Sequence, residues 1–230
     1  MVTTDIFSQI FLGFISIFSN FISALSGGGA GLIQLPALLL LGLPFSKALA
    51  THKVASVALG LGASIPHLKR NNLKSYYVLL ILTSGIPGVL MGAYTASILP
   101  GEFSTTLLGF LTLFISFYSI KNKSLGDSYQ RINISKSIEI IGFIGLFIIG
   151  FLNGYLSSGT GIFVTIWMIT IFNLTFSTAV AYTLILVGIF WNGIGALSLG
   201  LTGNIIWNYI PVLVLGSLIG GYCGAQLSII

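Results

Sequence analysis

The stretch from Ile140 to Ile230 contains no charged side chain. Over all 230 residues, 55% are hydrophobic and 6% are charged, whereas soluble domains carry about 25% charged residues. So few charges cannot coat a 24.4 kDa globule that faces water. Most of the surface must therefore face lipid, and the sequence predicts a multi-pass protein of a cell membrane.

The remaining composition disfavours several other classes of protein. The single cysteine, Cys223, excludes an internal disulfide framework. No group of residues has metal-ligand spacing, and no nucleophile, base and acid converge, so we expect no metal, no cofactor and no enzymatic activity. All nine Lys and Arg residues lie between Lys47 and Lys136. This distribution indicates loop charge that sets membrane orientation rather than a surface that binds nucleic acid.

Apolar segments follow one another with short polar breaks between them. About 20 apolar residues in a helix span the hydrocarbon layer, and no alternating pattern typical of a membrane barrel is present. The sequence therefore predicts an all-α polytopic protein, in which two shorter segments form half-helices or re-entrant arms. The segments are Ile6–Leu25, Leu32–Leu43 (short), 46–65, 76–99, Phe103–Ile120, Ile138–Leu156, Ile162–Phe172 (short), Thr178–Leu199 and Ile205–Leu227.

The order of segments occurs twice, which predicts two repeated helical units. Identical residues pair at an offset of 131 positions, among them Leu25 with Leu156, Ser26 with Ser157, Gly28 with Gly159 and Ala48 with Ala179. The predicted organisation is a first membrane repeat at 1–120, a charged cytoplasmic connector at 121–136 and a second repeat at 137–230. No segment after Ile230 matches Phe103–Ile120, so the second repeat lacks its last helix or the chain is truncated.

Basic residues in the short loops predict the orientation of the two units. Lys69 and Arg70 lie two crossings before the connector, so both basic loops can face the cytoplasm. Each complete unit has three full spans if its first two segments form a re-entrant hairpin, or five if both cross. Either odd number inverts the second unit relative to the first. Inverted repeats with broken helices are typical of transporters.

The two small-residue breaks are the first candidates for a binding site. Glycines let the backbone approach a ligand closely, the start of a half-helix offers free N–H groups to an anion, and hydroxyl groups add donors. The alternative is close helix packing, for which small residues also serve. The candidate residues are Ser26, Gly27, Gly28, Gly29, Ser157, Ser158, Gly159 and Thr160.

Polar residues inside apolar segments give a second set of candidates: Thr51, His52, Lys53 and Asn192. A lysine two turns inside an apolar helix is costly and usually faces a cavity or a partner. Lys53 therefore predicts attraction of an anionic substrate, with His52 assisting. The alternatives are a lysine that snorkels to the interface and an asparagine that only bonds a neighbouring helix. The few carboxylates lie at segment ends or in loops, so no buried carboxylate is expected to couple ions.

The sequence resembles the TauE/SafE sulfite-exporter-like family of bacterial membrane permeases. The motifs that carry the resemblance are Ser26–Pro36 (SGGGAGLIQLP), Leu41–Pro44 (LGLP) and Ala48–Lys53 (ALATHK), and more loosely Gly150–Gly154, Gly159–Gly161 and Trp191–Gly195. Many members of that family keep a Lys near the position of Thr183 and Leu184 in this chain. The resemblance implies a bacterial inner-membrane protein that moves sulfite, sulfonates or related sulfur compounds.

Two functions follow from these observations. The first is a secondary transporter (permease) of a small, sulfur-containing anion that works by alternating access, with the lipid bilayer and the anion as its partners. The second is a membrane scaffold or assembly partner, in which the breaks serve only for packing. Coupling to a proton or another ion, the direction of transport and the oligomeric state stay open at this point.

Overall fold

The computed structural model describes residues 6–70, 73–121 and 135–229, and all regular secondary structure in these ranges is helical. Helix α8 contains a π-helical segment, Thr183–Trp191, and α9 opens with one 3₁₀ turn. The helices are α1 (Ile6–Ser26), α2 (Gly31–Leu40), α3 (Phe45–Arg70), α4 (Ser75–Ile98), α5 (Gly101–Lys121), α6 (Lys136–Tyr155), α7 (Thr160–Phe172), α8 (Phe176–Gly200) and α9 (Trp207–Ser228).

Six helices within the described residues are long and apolar enough to cross a membrane: α1, α3, α4, α6, α8 and α9. Large apolar side chains cover the outside of the bundle, as shown by Phe14, Tyr94 and Leu197. Such a surface is stable in lipid and not in water. The prediction of an all-α polytopic membrane protein is therefore confirmed. Most of the predicted charged connector, residues 122–134, lies outside the described residues.

Both predicted breaks interrupt the helices. Helix α1 ends at Ser26 and α2 begins at Gly31, and the three glycines between them, Gly27, Gly28 and Gly29, have φ angles of +80°, +133° and +101°. Residues other than glycine rarely adopt these φ angles, and a right-handed helix cannot continue through them. The second break, between Tyr155 and Thr160, contains two further residues with positive φ. The two short apolar segments are thus half-helices, α2 and α7.

Helices of one half of the chain pack closely on helices of the other half. Helix α1 lies along α9, and α4 lies along α6, with glycines at both contacts. A Cβ on Gly220 of α9 would lie 2.4 Å from the carbonyl oxygen of Ile17, and one on Gly92 of α4 would lie 2.1 Å from that of Phe151. Small residues allow such close approach of membrane helices. Two repeats related by a two-fold axis, whether inverted or parallel, make such reciprocal contacts, and the duplication and its inversion stay predictions.

Helices α3 and α8 form the inside of the bundle. In each of them 72% of the most apolar stretch is buried, against 33–44% in the other four spans. They touch where Gly60 of α3 meets Gly188 in the π-helical segment of α8, since a Cβ on Gly60 would lie 2.8 Å from the Gly188 backbone. Polar side chains on these two helices are therefore shielded from lipid.

Candidate functional site

The two helix breaks meet in the centre of the protein. Gly28 in the first break packs against Gly161 at the start of α7, and a Cβ on Gly28 would lie 2.7 Å from the backbone of Gly161. The hydroxyl of Thr165 in α7 donates a hydrogen bond of 2.8 Å to the carbonyl oxygen of Gly27. The breaks are 133 positions apart between Gly28 and Gly161 in sequence, yet they form one site.

A cavity of about 40 Å³ lies where the breaks meet. One water needs about 10–15 Å³ of such space, so the cavity holds roughly three waters or one small ion. Its wall is formed by both breaks, by α3 and by the π-helical segment of α8. The residues of the wall are Ser23, Gly28, Gly29, Ala30, Gly31, His52, Ser56, Leu59, Asn153, Ser157, Thr160, Gly161, Thr183, Leu184, Val187, Gly188 and Asn192.

The starts of both half-helices contribute backbone N–H groups to this region. In α2 the first N–H donors with partners are those of Leu32 and Ile33, and in α7 the first is that of Ile162. Within the described residues, the N–H groups of the wall residues before them, such as Ala30 and Gly161, have no hydrogen-bond partner. Free N–H groups and the positive end of the helix dipole attract negative charge. Two such ends at one cavity make it a candidate anion site.

An unpartnered hydroxyl at the wall supports this assignment. The side chain of Ser23 is 1% exposed, and within the described residues its Oγ has no hydrogen-bond partner. Buried polar atoms normally have a hydrogen-bond partner, and a buried polar atom without one costs about 1–3 kcal/mol of stability. Ser23 is therefore a donor available to a guest in the cavity.

Lys53 is fully buried directly behind the wall. Its Nζ donates to the main-chain oxygen of Asn153 at 2.8 Å, to Oδ1 of Asn153 at 3.1 Å and to Oδ1 of Asn192 at 3.3 Å. All three acceptors are neutral. No Asp or Glu pairs with this lysine among the described residues, so its positive charge is balanced only by dipoles. A buried, incompletely balanced cation creates a positive potential in the cavity beside it.

His52 faces the cavity from α3 and is held on both sides. Its Nδ1 lies 2.7 Å from Oε1 of Gln34 in α2, and its Nε2 lies 3.2 Å from Oγ of Ser56 one turn further along α3. Gly31 makes room for the ring, because a Cβ at this position would lie 2.9 Å from Nε2. The imidazole is thus the ionisable side chain of the wall. Within the described ranges, no three His, Cys, Asp or Glu residues are grouped to hold a metal ion.

The structure brings together most, but not all, of the predicted site residues. Gly28, Gly29, His52, Ser157, Thr160 and Asn192 line the cavity. Lys53 reaches it only through Asn153 and Asn192.

The other five predicted residues lie outside the wall. Thr51 is turned away, and its hydroxyl accepts a hydrogen bond from the backbone N–H of Ile206 at 3.0 Å. Thr51 therefore holds the loop before α9. The hydroxyl of Ser26 donates to the carbonyl oxygen of Gly28, and the carbonyl oxygen of Gly27 accepts from Thr165. Gly159 directly precedes α7, and Ser158 is buried beside Gly31.

Four polar wall residues are not among those that the sequence predicts: Ser23, Ser56, Asn153 and Thr183. A signal existed for three of them. Ser56 is four residues after His52 and so lies on the same helix face. Asn153 is within a motif that carries the family resemblance, and Thr183 lies where many members of that family keep a lysine. Ser23 precedes its break by several residues and looks like any small residue of an apolar helix.

Comparison with known proteins finds relatives that cover almost the whole chain. The family model described as "Sulfite exporter TauE/SafE" matches residues 12–230. A protein of Haemophilus influenzae named "Probable membrane transporter protein" is 29% identical over 97% of this chain and 85% of its own length. A Sinorhizobium protein, "Probable membrane transporter protein ORF9", is 28% identical over 94% of this chain and 81% of its own length. No solved structure matches the chain.

Proposed function

The chain belongs to the sulfite exporter TauE/SafE family of membrane transporters, and from that premise we propose that it carries a small sulfur oxyanion, sulfite or a sulfonate, by alternating access. The observation that carries the proposal is the meeting of two half-helix starts at one cavity beside Lys53, a buried lysine that no Asp or Glu of the described residues pairs with. Each of these features stabilises negative charge, and none of them serves a cation.

The asparagines next to Lys53 connect its charge to the cavity. An ammonium group only donates hydrogen bonds, so each asparagine must turn its Oδ1 toward Lys53 and its NH₂ group away. The NH₂ group of Asn153 donates to Oγ1 of Thr160 at 2.9 Å. Asn192 lines the cavity, and its NH₂ group is left to donate to the guest. The lysine thus polarises an amide donor that touches the anion.

The dimensions of the cavity support a small oxyanion. A site of about 40 Å³ accommodates a single sulfur centre with its oxygens, and a longer organic sulfonate requires the cavity to widen. The donors come from several directions: the starts of α2 and α7, the Ser23 hydroxyl and the Asn192 amide. Such a convergent set suits a compact group with three oxygens around one atom.

The two helix breaks also provide what alternating access requires. The wall combines elements from both halves of the chain, so a change in the angle between the halves opens it on one side and closes it on the other. The glycine contact between Gly28 and Gly161 is backbone on backbone and contains no interlocking side chains. It can therefore slide while the helices stay intact.

Transport by reconstituted protein tests the proposal directly. Purified protein in liposomes is expected to release trapped radiolabelled sulfite faster than empty liposomes. Asn192→Ala should slow this release roughly tenfold to a hundredfold, the effect of losing one hydrogen bond to a charged group, about 1.5–3 kcal/mol. Asn208→Ala is the matched control, since Asn208 is exposed at the start of α9 and should transport as the wild type does.

Absence of flux would contradict the proposal. If folded wild-type protein in liposomes moves neither sulfite nor methanesulfonate, the scaffold function is the better explanation. If Asn192→Ala and Asn208→Ala transport equally well, the cavity is not the binding site.

A further inference from the structure

A chain of buried side chains connects the cavity to the contact between α1 and α9. From Ser56 it passes to His52, then to Gln34, whose Nε2 donates to Oγ of Ser16 at 3.0 Å. Ser16 in turn donates to the main-chain oxygen of Leu213 at 2.7 Å. Ser16, Gln34, His52 and Ser56 are each at most 3% exposed. Four buried polar groups in a row are unusual for a membrane protein and indicate a function.

A consistent set of directions for these hydrogen bonds starts at the far end of the chain. Ser16 has one hydroxyl proton, which the main-chain oxygen of Leu213 accepts at 2.7 Å, so Oγ of Ser217, 3.0 Å away, donates to Ser16. Oγ of Ser16 must then accept from Gln34, which turns the Gln34 NH₂ group toward Ser16 and its Oε1 toward His52. Oε1 also only accepts, so Nδ1 of His52 carries a proton.

This assignment leaves the other ring nitrogen of His52 on the cavity side. In the neutral ring Nε2 has a lone pair, and the Ser56 hydroxyl donates to it. A proton that arrives from the cavity can bind only there. Once Nε2 is protonated it becomes the donor, and the Ser56 hydroxyl is released to donate into the cavity instead. One proton thus adds a positive charge and a hydrogen-bond donor to the anion site.

We propose that Nε2 of His52 is a proton-binding site, and that each anion crosses the membrane together with one proton held there. The proposal rests on the anion transport proposed above. No covalent bond changes: the proton moves from water on one side to Nε2, travels with the loaded site and returns to water on the other side. The charge moved per cycle is that of the anion plus one.

The surroundings of His52 make binding of the proton and binding of the anion depend on each other. Lys53, the next residue, is the charged group that acts on the ring, and the positive end of α2 lies against it at Gly31. Gln34 of α2, which contacts the ring, is uncharged, and so are the other polar side chains of the wall, from α1, α3, α6, α7 and α8, within the described residues. A second buried positive charge is costly here without a negative partner. The anion supplies that partner, so each ligand strengthens binding of the other.

Methanesulfonate is the decisive probe, because it stays ionised at every pH of the assay. Wild-type protein in liposomes with a trapped pH-sensitive dye is placed in an inward gradient of this anion. The expected result is acidification of the interior that accompanies uptake. Uptake should also fall as the pH rises, approaching about tenfold per pH unit for one bound proton. Sulfite is measured in parallel, since it can itself carry a proton.

Two substitutions separate the proton site from the anion site. His52→Asn keeps an N–H donor for Gln34 but cannot bind a proton, so uptake should become independent of pH and the dye signal should vanish. Gln34→Glu places a negatively charged carboxylate beside Nδ1, so the pH at which uptake is half-maximal should move upward. His67→Asn is the matched control: His67 is also fully buried in α3 but is not part of the wall, and its pH profile should equal that of the wild type.

The possible outcomes distinguish the two proposals. No uptake of either anion by wild-type protein overturns the transport function and the proton site with it. Uptake without acidification, or with a pH profile unchanged in His52→Asn, overturns the proton site alone. If His52→Asn does not fold, Gln34→Glu decides, and an unshifted profile in that variant refutes the proposal.

Discussion

Lys53 shows how a single side chain can serve a site that it does not touch. Its ammonium group is 0% exposed and lies behind the amides of Asn153 and Asn192. The tail of the lysine runs along Gly195, where a Cβ would lie 2.9 Å from its Cδ and Cε. The absence of a side chain at Gly195 therefore leaves the space that the lysine tail occupies. The influence of Lys53 on an anion is electrostatic and passes through the asparagines.

Lys53→Met should abolish most transport without harming the fold. Methionine fills the same channel and removes the charge, and burying a cation is itself costly, so the melting temperature should stay equal or rise. Sulfite flux should fall at least about tenfold, the effect of roughly 1.4 kcal/mol. Lys47→Met, on the half-buried first turn of the same helix, is the control. Wild-type flux in Lys53→Met would show that the lysine has no part in the site.

The same helix explains which site residues could be predicted from sequence. Thr51, His52 and Lys53 are consecutive, and consecutive residues of a helix point about 100° apart, at 3.6 residues per turn. They therefore face the loop before α9, the cavity and the asparagines in turn. The sequence pattern identified the correct turn of the helix, because polar side chains are costly inside a membrane and are rarely found there without a function. It could not indicate which of the three touches the cavity, since this depends on neighbours 100 or more positions away.

At the scale of the elements, the breaks were predictable and the π-helical segment was not. A run of glycines before a short apolar stretch predicts an interrupted helix. In contrast, Thr183–Trp191 contains one glycine, Gly188, among mostly apolar residues, and this composition does not distinguish a π-helical segment from an α-helix. Gly188 in this segment lies against Gly60 of α3, a contact that the local sequence does not show. Such segments often mark functional sites, and here the segment contributes Thr183, Leu184, Val187 and Gly188 to the wall.

The contact between the first break and the start of α7 should tolerate no added atom. Gly161→Ala would place a Cβ 2.9 Å from Cα of Gly28, and backbone cannot move aside as a flexible side chain does. We expect a loss of stability of about 1–3 kcal/mol, typical of overpacking. We also expect reduced sulfite flux, because the two breaks are pushed apart.

Gly109→Ala provides the comparison for this prediction. Gly109 is also a helical glycine, but nothing lies within 4 Å of its added Cβ. Thermal unfolding in detergent and flux in liposomes measure both variants. Equal melting temperatures and equal flux for the two would mean that the breaks are not in close contact in the membrane.

At the scale of the whole molecule, side-chain contacts near the helix ends indicate which loops share a membrane face. The N–H of Lys74 donates to the hydroxyl of Tyr182 at 2.6 Å, so the start of α4 lies beside the start of α8. Gly101 at the start of α5 packs on Phe45 at the start of α3, and Thr51 bonds the loop before α9. Helices α3 and α8 therefore begin at opposite faces. This supports the inverted duplication that the sequence predicts.

Labelling of single cysteines from outside the cell tests that inversion. In a Cys223→Ser background, cysteines replace exposed residues at four helix ends: Ser75, Glu102, Ser135 and Thr202. The basic loops should face the cytoplasm, so Ser75→Cys and Ser135→Cys should resist an impermeant maleimide in intact cells and react after lysis. Glu102→Cys and Thr202→Cys should react in intact cells. If Ser75→Cys and Thr202→Cys were labelled from the same side, the two units would run parallel. A change of angle between inverted halves could then not expose the cavity first to one face of the membrane and then to the other.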